Sequence, residues 1–288
     1  MPGGHLAVTT YAGSTEPVLA IHGVSSNAHL WNWLHAAAPE ISLLAPDLRG
    51  RAGSFDVGGP VVRRAGPRAT APASLAQHAD DVVAVLDAAD LDRIVVCGMS
   101  MGGFVAVTLA LRHPDRVRAL VLVDGGFPMA ADGLTPDAVR AAFAPQATRR
   151  EHVFADVDAY RTFFLAAPNL LDADDPLLTD YLAHDLGDDG RVRLAGDLLL
   201  DDAVETLLHP PPWRELTVPV RLLAAQWSAG AGSPPAYPDA ALATYRAELA
   251  CLVEARRVDG VDHGASIMTA RGAAAVADVL RPVVGGRS

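Results

Sequence analysis

Lysine is absent: all 23 basic residues are arginine. No ammonium group is available to form a Schiff base or to complete a nucleotide-binding P-loop, which sets aside pyridoxal-phosphate chemistry and Walker-type ATP hydrolysis. Cysteine is nearly absent as well. Cys97 and Cys251 are too few for a disulfide framework, and Cys97 falls in an apolar run where a buried thiol is expected, which points to a reducing compartment. No apolar run approaches the roughly 18 residues that a membrane span requires. The opening Met1-Pro2-Gly3-Gly4-His5 shows no basic segment followed by an apolar one. The expectation is a cytoplasmic protein with no membrane partner. Positive charge is also scarce: 34 acidic against 23 basic residues give a formal charge of -11, which repels phosphate backbones and leaves nucleic acid an unexpected partner.

What is present is apolar and ordered in alternation. With 288 residues and 50% hydrophobic content, the chain can bury a large core, and its length suits one α/β domain carrying an insertion. Short β-branched runs, Val18 to Ile21, Ile41 to Ala45, Ile94 to Cys97 and Ala119 to Val123, alternate with segments of helical period. The pattern predicts a mostly parallel central sheet covered by helices on both faces. Ser74 is placed to cap a helix running to about Ala89. From 127 to 212 the alternation fails. This stretch predicts several short helices broken by Pro136, Pro145, Pro168, Pro176 and Pro210, so the core is expected at 1–126 and 213–288 with a helical cap between. Strands at Val218 to Ala225 and Leu252 to Val258, and helices at Pro238 to Ala250 and Thr269 to Leu280, complete the reading. Residues 51–73, rich in Gly, Pro, Ala and Arg, are expected to form a mobile loop, and no internal repeat is found.

Gly98-Met99-Ser100-Met101-Gly102 has the G-x-S-x-G form of a turn from a strand into a helix, with the central hydroxyl raised on its corner. The flanking glycines are needed where strand and helix cross. Ile94 to Cys97 supplies the strand, Phe104 to Arg112 the helix, and Pro114 follows where that helix should stop. A hydroxyl so placed suits acyl transfer, which also needs two backbone N–H groups aimed at the developing oxyanion. His22-Gly23-Val24, at the end of an earlier strand, is a candidate source.

Together these motifs resemble the α/β-hydrolase superfamily. His22-Gly23 is similar to its oxyanion-loop "HG", Asp47-Leu48-Arg49-Gly50-Arg51-Ala52-Gly53-Ser54 to its "D-x-R-G-x-G-x-S" loop, and Ser100 to its nucleophile. Residues 51 to 54 depart from the usual glycine spacing. The resemblance implies a cap inserted after the sixth strand, an oxyanion hole formed by the N–H groups of Val24 and Met101, and the chain order nucleophile, acid, histidine. His263, in Val261-Asp262-His263-Gly264 after the last strand, then stands as the base, and its imidazole titrates near working pH. His22 as base is the competing reading, disfavoured because family members use that histidine to shape the loop. His29 could line a pocket mouth.

The acid is where the pattern departs. Many relatives place an aspartate just after the strand that follows the cap, yet this chain has Gln226 and Ser228 there. Asp124, ending an earlier strand, is the position some branches use and is favoured here. Asp239 is the alternative, and Asp262 is discounted because neighbours on an extended chain point apart. Trp31, Met99, Phe127, Tyr160 and Phe164 could build an apolar acyl pocket, although helical aromatics more often serve packing. The expected activity is a Ser-His-Asp hydrolase cleaving a small apolar carboxylic ester or lactone, without cofactor or metal. Carbon–carbon bond hydrolysis and cofactor-free perhydrolysis share these motifs, and a ligand receptor on the same fold is the non-enzymatic alternative.

Overall fold

The computed structural model describes residues 5–57, 74–129 and 133–285. Residues 58–73 of the expected mobile loop lie outside the described residues, as do the first four residues of the chain.

Seven strands form one sheet: β1 (Val8–Tyr11), β2 (Val18–Ile21), β3 (Leu43–Pro46), β4 (Ile94–Met99), β5 (Val117–Val123), β6 (Val220–Ala225) and β7 (Leu252–Val258). Their spatial order is β1-β3-β2-β4-β5-β6-β7. Only the β1–β3 pair is antiparallel, with Val8 opposite Pro46; the other neighbours run parallel. Every residue of β2, β3 and β4 is buried, as a parallel sheet sandwiched between helical layers requires. β1 has the alternating half-exposed pattern of an edge, too short and too polar in Val-Thr-Thr-Tyr to stand out as an apolar run.

Nine α-helices occur among the described residues: α1 (Asn32–Ala37), α2 (Leu75–Ala88), α3 (Met101–Arg112), α4 (Pro136–Thr148), α5 (Val157–Phe164), α6 (Pro176–Asp185), α7 (Gly196–Leu208), α8 (Asp239–Glu248) and α9 (Ala270–Val284). α1 packs on α9 and α2 on α3, so the sheet is covered on both faces. Side chains terminate these helices where the sequence offers caps. Ser74 accepts from the N–H of Gln77, Thr135 from Ala138, Asp156 from Ala159 and Thr269 from Gly272.

Helices α4 to α7 all lie between β5 and β6, pairing as α4 with α7 and α5 with α6. They follow the fifth strand, not the sixth, because a single strand precedes β2 among the described residues. Pro136 and Pro176 open α4 and α6, where a missing N–H is harmless. Pro145, expected to break a helix, instead sits in the last turn of α4, where it costs one hydrogen bond and the helix ends three residues on. The segment is tied to the core beneath it by polar contacts. Asn27 Nδ2 donates to the Tyr181 carbonyl at 3.2 Å, Trp33 Nε1 to Asp175 at 2.6 Å and Tyr181 Oη to Ser26 at 3.1 Å.

Candidate active site

At the end of β4 the chain reverses into α3 through Ser100, whose φ of 55° and ψ of -127° lie in a region that residues with a side chain rarely adopt. Close backbone crossings hold it there. A Cβ on Gly98 would come within 2.3 Å of the Gly102 carbonyl oxygen, one on Gly102 within 2.0 Å of the Ile21 oxygen, and one on Gly125 within 2.1 Å of the Ser100 oxygen. These three positions let β2, the turn and the loop after β5 share one point in space. The strained corner lifts the Ser100 hydroxyl clear of its own strand.

Asp124 follows β5 with a φ of 44°, another left-handed residue with a side chain. That bend swings its carboxylate out of the sheet while its N–H stays bonded to the Leu223 carbonyl at 2.7 Å. One oxygen accepts the Ala225 N–H at 2.9 Å and the other lies 2.6 Å from His263 Nδ1. His263 Nε2 is 3.0 Å from Ser100 Oγ. A carboxylate can only accept, so Nδ1 carries the ring proton and the Nε2 lone pair faces the hydroxyl. The imidazole is 33% exposed, whereas the carboxylate beneath it is sealed from solvent. Burial pulls the His263 pKa down, but the hydrogen bond and charge of Asp124, with the charge of Asp262, outweigh it and leave the pKa above the ordinary histidine value.

The structure therefore joins Ser100, His263 and Asp124 and leaves the alternatives apart. Asp239 is exposed and pairs with Arg257 at 2.6 Å. Asp262 accepts the N–H groups of Gly230 at 2.9 Å and Ala265 at 2.8 Å, which shapes the loop bearing His263.

Two backbone amides next to this corner lack a hydrogen-bond partner among the described residues. Met101 opens α3, so its N–H has no carbonyl one turn back, and among the described residues the Val24 N–H donates to no carbonyl or side chain. Gly23 allows the approach: a Cβ there would lie 3.2 Å from Ser100 Cβ. His22 is fully buried, its Nε2 accepting the Leu48 N–H at 2.9 Å and its Nδ1 donating to the Gly23 carbonyl at 2.8 Å. Burial lowers its pKa to about 4. Both nitrogens are occupied and the ring is neutral, so His22 braces the loop and does not serve as a base.

Of the aromatic and sulfur side chains expected around a pocket, Met99 lies beside the site, with its sulfur 3.4 Å from where a Gly23 Cβ would sit. Trp31, Phe127 and Tyr160 are wholly buried and present no accessible wall. Phe127 packs among Trp213 and Tyr245, and Tyr160 donates its hydroxyl to Asp185 at 2.8 Å. Phe164 packs edge-on to Tyr160 and Tyr181 inside the helical segment. His29, a candidate for the mouth, stacks on His184 at 3.8 Å and bonds Asp180.

Sequence reasoning passed over a set of buried ions. Arg49 makes a two-pronged pair with Asp81, Asp47 accepts from Ala28, Gly53 and His184, and Arg51 and Arg149 reach the loop after His22. Apart from the Asp47–Gly53 contact, these partners come from segments 19 to 137 residues away, so no local spacing announces them. The departure at residues 51–54 has a backbone consequence: Ala52 occupies a φ of 39°, held by its N–H bond to the Arg193 carbonyl. Among the described residues no three His, Cys, Asp or Glu side chains converge as metal ligands, and no helix is long and apolar enough to cross a membrane.

A family model described as alpha/beta hydrolase fold matches residues 16–176. Over 107 residues the chain is 39% identical to the lipase LipV of Mycobacterium tuberculosis, covering 37% of this chain and 36% of that one. Over 117 residues it is 33% identical to a 2-hydroxymuconate semialdehyde hydrolase of a Pseudomonas species, covering 39% and 37%. The matched stretches span 33% to 43% of the length of the curated relatives. Among solved structures, E-2-(acetamidomethylene)succinate hydrolase superposes with a TM-score of 0.73 at 21% identity, over 98% of this chain and 95% of that one, a likeness of fold.

Proposed function

This chain belongs to the α/β-hydrolase family, and from that premise we propose that it is a serine hydrolase cleaving a small apolar carboxylic ester or lactone. The observation that carries the reading is the continuous hydrogen-bonded path from Asp124 through His263 to the hydroxyl on the strained corner. His263 Nε2 takes the Ser100 proton as Oγ bonds to the substrate carbonyl carbon. The carbonyl oxygen becomes an oxyanion between the N–H groups of Val24 and Met101, whose direction is fixed before the charge develops. Asp124 holds the imidazolium. The C–O bond to the leaving alkoxide then breaks, His263 returns its proton to that oxygen, and an acyl-Ser100 ester remains. Water, deprotonated by the same nitrogen, attacks this ester and releases the acid. Water is the sole co-reactant. Helices α4 to α7 act as the cap over this site, within the segment 127–212, and the core comprises 1–126 and 213–288.

A fluorophosphonate probe followed by peptide mapping tests the reading. Wild type should be labelled at Ser100 and should hydrolyse p-nitrophenyl esters or aliphatic lactones, while Ser100→Ala should do neither. Tight lactone binding without labelling or turnover would instead assign the site to a receptor. The relative named for 2-hydroxymuconate semialdehyde supports a second reading, hydrolysis of a C–C bond beside a carbonyl by the same three residues. Turnover of a vinylogous 1,5-diketone with inertness toward every ester and lactone would favour it.

A further inference from the structure

Arg51 is wholly buried, on the loop after β3, and its guanidinium is closed off from solvent. Nε and Nη2 both donate to the carbonyl of Val24, at 3.1 and 2.9 Å, and Nη1 donates to the carbonyl of Arg49 at 2.8 Å. The charge is met by Asp202, on α7, which is equally buried and also accepts from His78 Nε2 at 3.1 Å. Burial would raise the Asp202 pKa, but His78 and Arg51 outweigh it and keep the group ionised. A second buried guanidinium repeats the arrangement one residue on. Arg149, in the turn after α4, donates to the Ser25 carbonyl at 2.6 Å and pairs with Asp185 of α6.

The consequence is geometric. The peptide before Val24 is pinned through the Gly23 carbonyl by His22, and the peptide after it is pinned through the Val24 carbonyl by Arg51. With both flanking peptide planes held, the two soft dihedrals of Val24 have little freedom left, and the direction of its N–H is set. We propose that Arg51, anchored by Asp202, is a positioning residue for the Val24 amide, so that oxyanion stabilisation depends on α7 of the helical segment through one buried ion pair. This rests on the hydrolase reading above. A preorganised donor contributes because it does not have to reorient as charge develops. Loosening its peptide costs transition-state binding while leaving the ground-state ester, which needs no such donor, bound as before.

The test compares Arg51→Met and Asp202→Asn with wild type, counting functional sites by fluorophosphonate titration so that kcat is expressed per labelled Ser100. Arg51→Met should lower kcat about 30-fold with KM within about twofold of wild type, short of the roughly 100-fold or greater loss from deleting a donor outright. Affinity for a phenylboronic acid, which forms a tetrahedral adduct on the serine, should fall in parallel, and affinity for the carboxylic acid product should not. Should Arg51→Met fail to fold, Asp202→Asn keeps the shape and an acceptor while removing the anchoring charge, and is expected to lower kcat about fivefold with the same split. Folded Asp202→Asn with wild-type kcat and boronate affinity per labelled site overturns the proposal, as does a parallel weakening of product binding. Absence of labelling in wild type is a separate result that overturns the hydrolase reading itself.

Discussion

In the proposed reaction His263 carries one proton at rest and two during turnover, and Asp124 bears on both states. The resting imidazole is pulled below the ordinary value of 6.5 by burial, but the hydrogen bond and charge of Asp124, joined by Asp262, lift it above. Only the neutral ring accepts the Ser100 proton, so kcat/KM should fall as pH drops through a midpoint above about 6.5. Replacing Asp124 by Asn removes the charge and leaves burial acting. Turnover should fall on the order of 10⁴-fold, and the residual acidic limb should move down in pH; steady-state kinetics between pH 5 and 9 read both. Wild-type turnover with an unmoved limb would falsify the role given to Asp124. At this scale the sequence was legible where chain order constrains it. Ser100 stood alone in its motif, His263 had the earlier His22 as a rival base, and the acid had two positions. What separates Asp124 from Asp239 is a left-handed φ of 44° and a pairing with Arg257, and neither leaves a trace in local sequence.

α3 crosses β2 at a close backbone approach. A methyl group on Gly102 would stand 2.0 Å from the Ile21 carbonyl oxygen, which is backbone in a fully buried strand and cannot yield by a rotamer change. Gly102→Ala should therefore cost on the order of 3 kcal/mol or more, seen as a lowered Tm and a fall in soluble protein. Gly264→Ala is the control, because its Cβ would meet neighbours at an ordinary 3.8 Å, and its Tm should stay near that of wild type. Equal losses in the two variants would show that the crossing is not what demands glycine. Strand positions were readable because burial on both faces produces continuous apolar runs, and β2 matches its predicted limits. β1 was not, since a half-exposed edge strand of four residues has no such run. The packing of α4 to α7 against the core was equally hidden. It includes the contacts of Asp175 with Trp33 and of Asp202 with Arg51, pairings between distant segments that no local spacing announces.

Across the whole molecule, folding changes the proton affinity of two histidines in opposite directions, and pH tells them apart. His22 is sealed in the core with a pKa of about 4 against 6.5 when unfolded. Between those values the unfolded chain binds the proton and the folded one does not, so acidification favours unfolding. Its contribution is fully present above about pH 6.5 and is lost as pH falls toward 4. From pH 7 to pH 5 the loss should be about 2 kcal/mol. His263 acts the other way: its pKa is raised on folding, so its contribution is present below 6.5 and fades as pH rises through the folded value. Acidification therefore weakens the fold through one histidine and strengthens it through the other. Urea unfolding of wild type and His22→Gln at pH 5 and pH 7 separates the two. The glutamine can still accept the Leu48 N–H but cannot titrate. It should be less stable than wild type at pH 7, yet gain stability relative to wild type by about 2 kcal/mol at pH 5. The same pH dependence in both proteins would mean that His22 is protonated in the fold, and a cationic ring could not accept the Leu48 N–H that positions the loop beside Ser100.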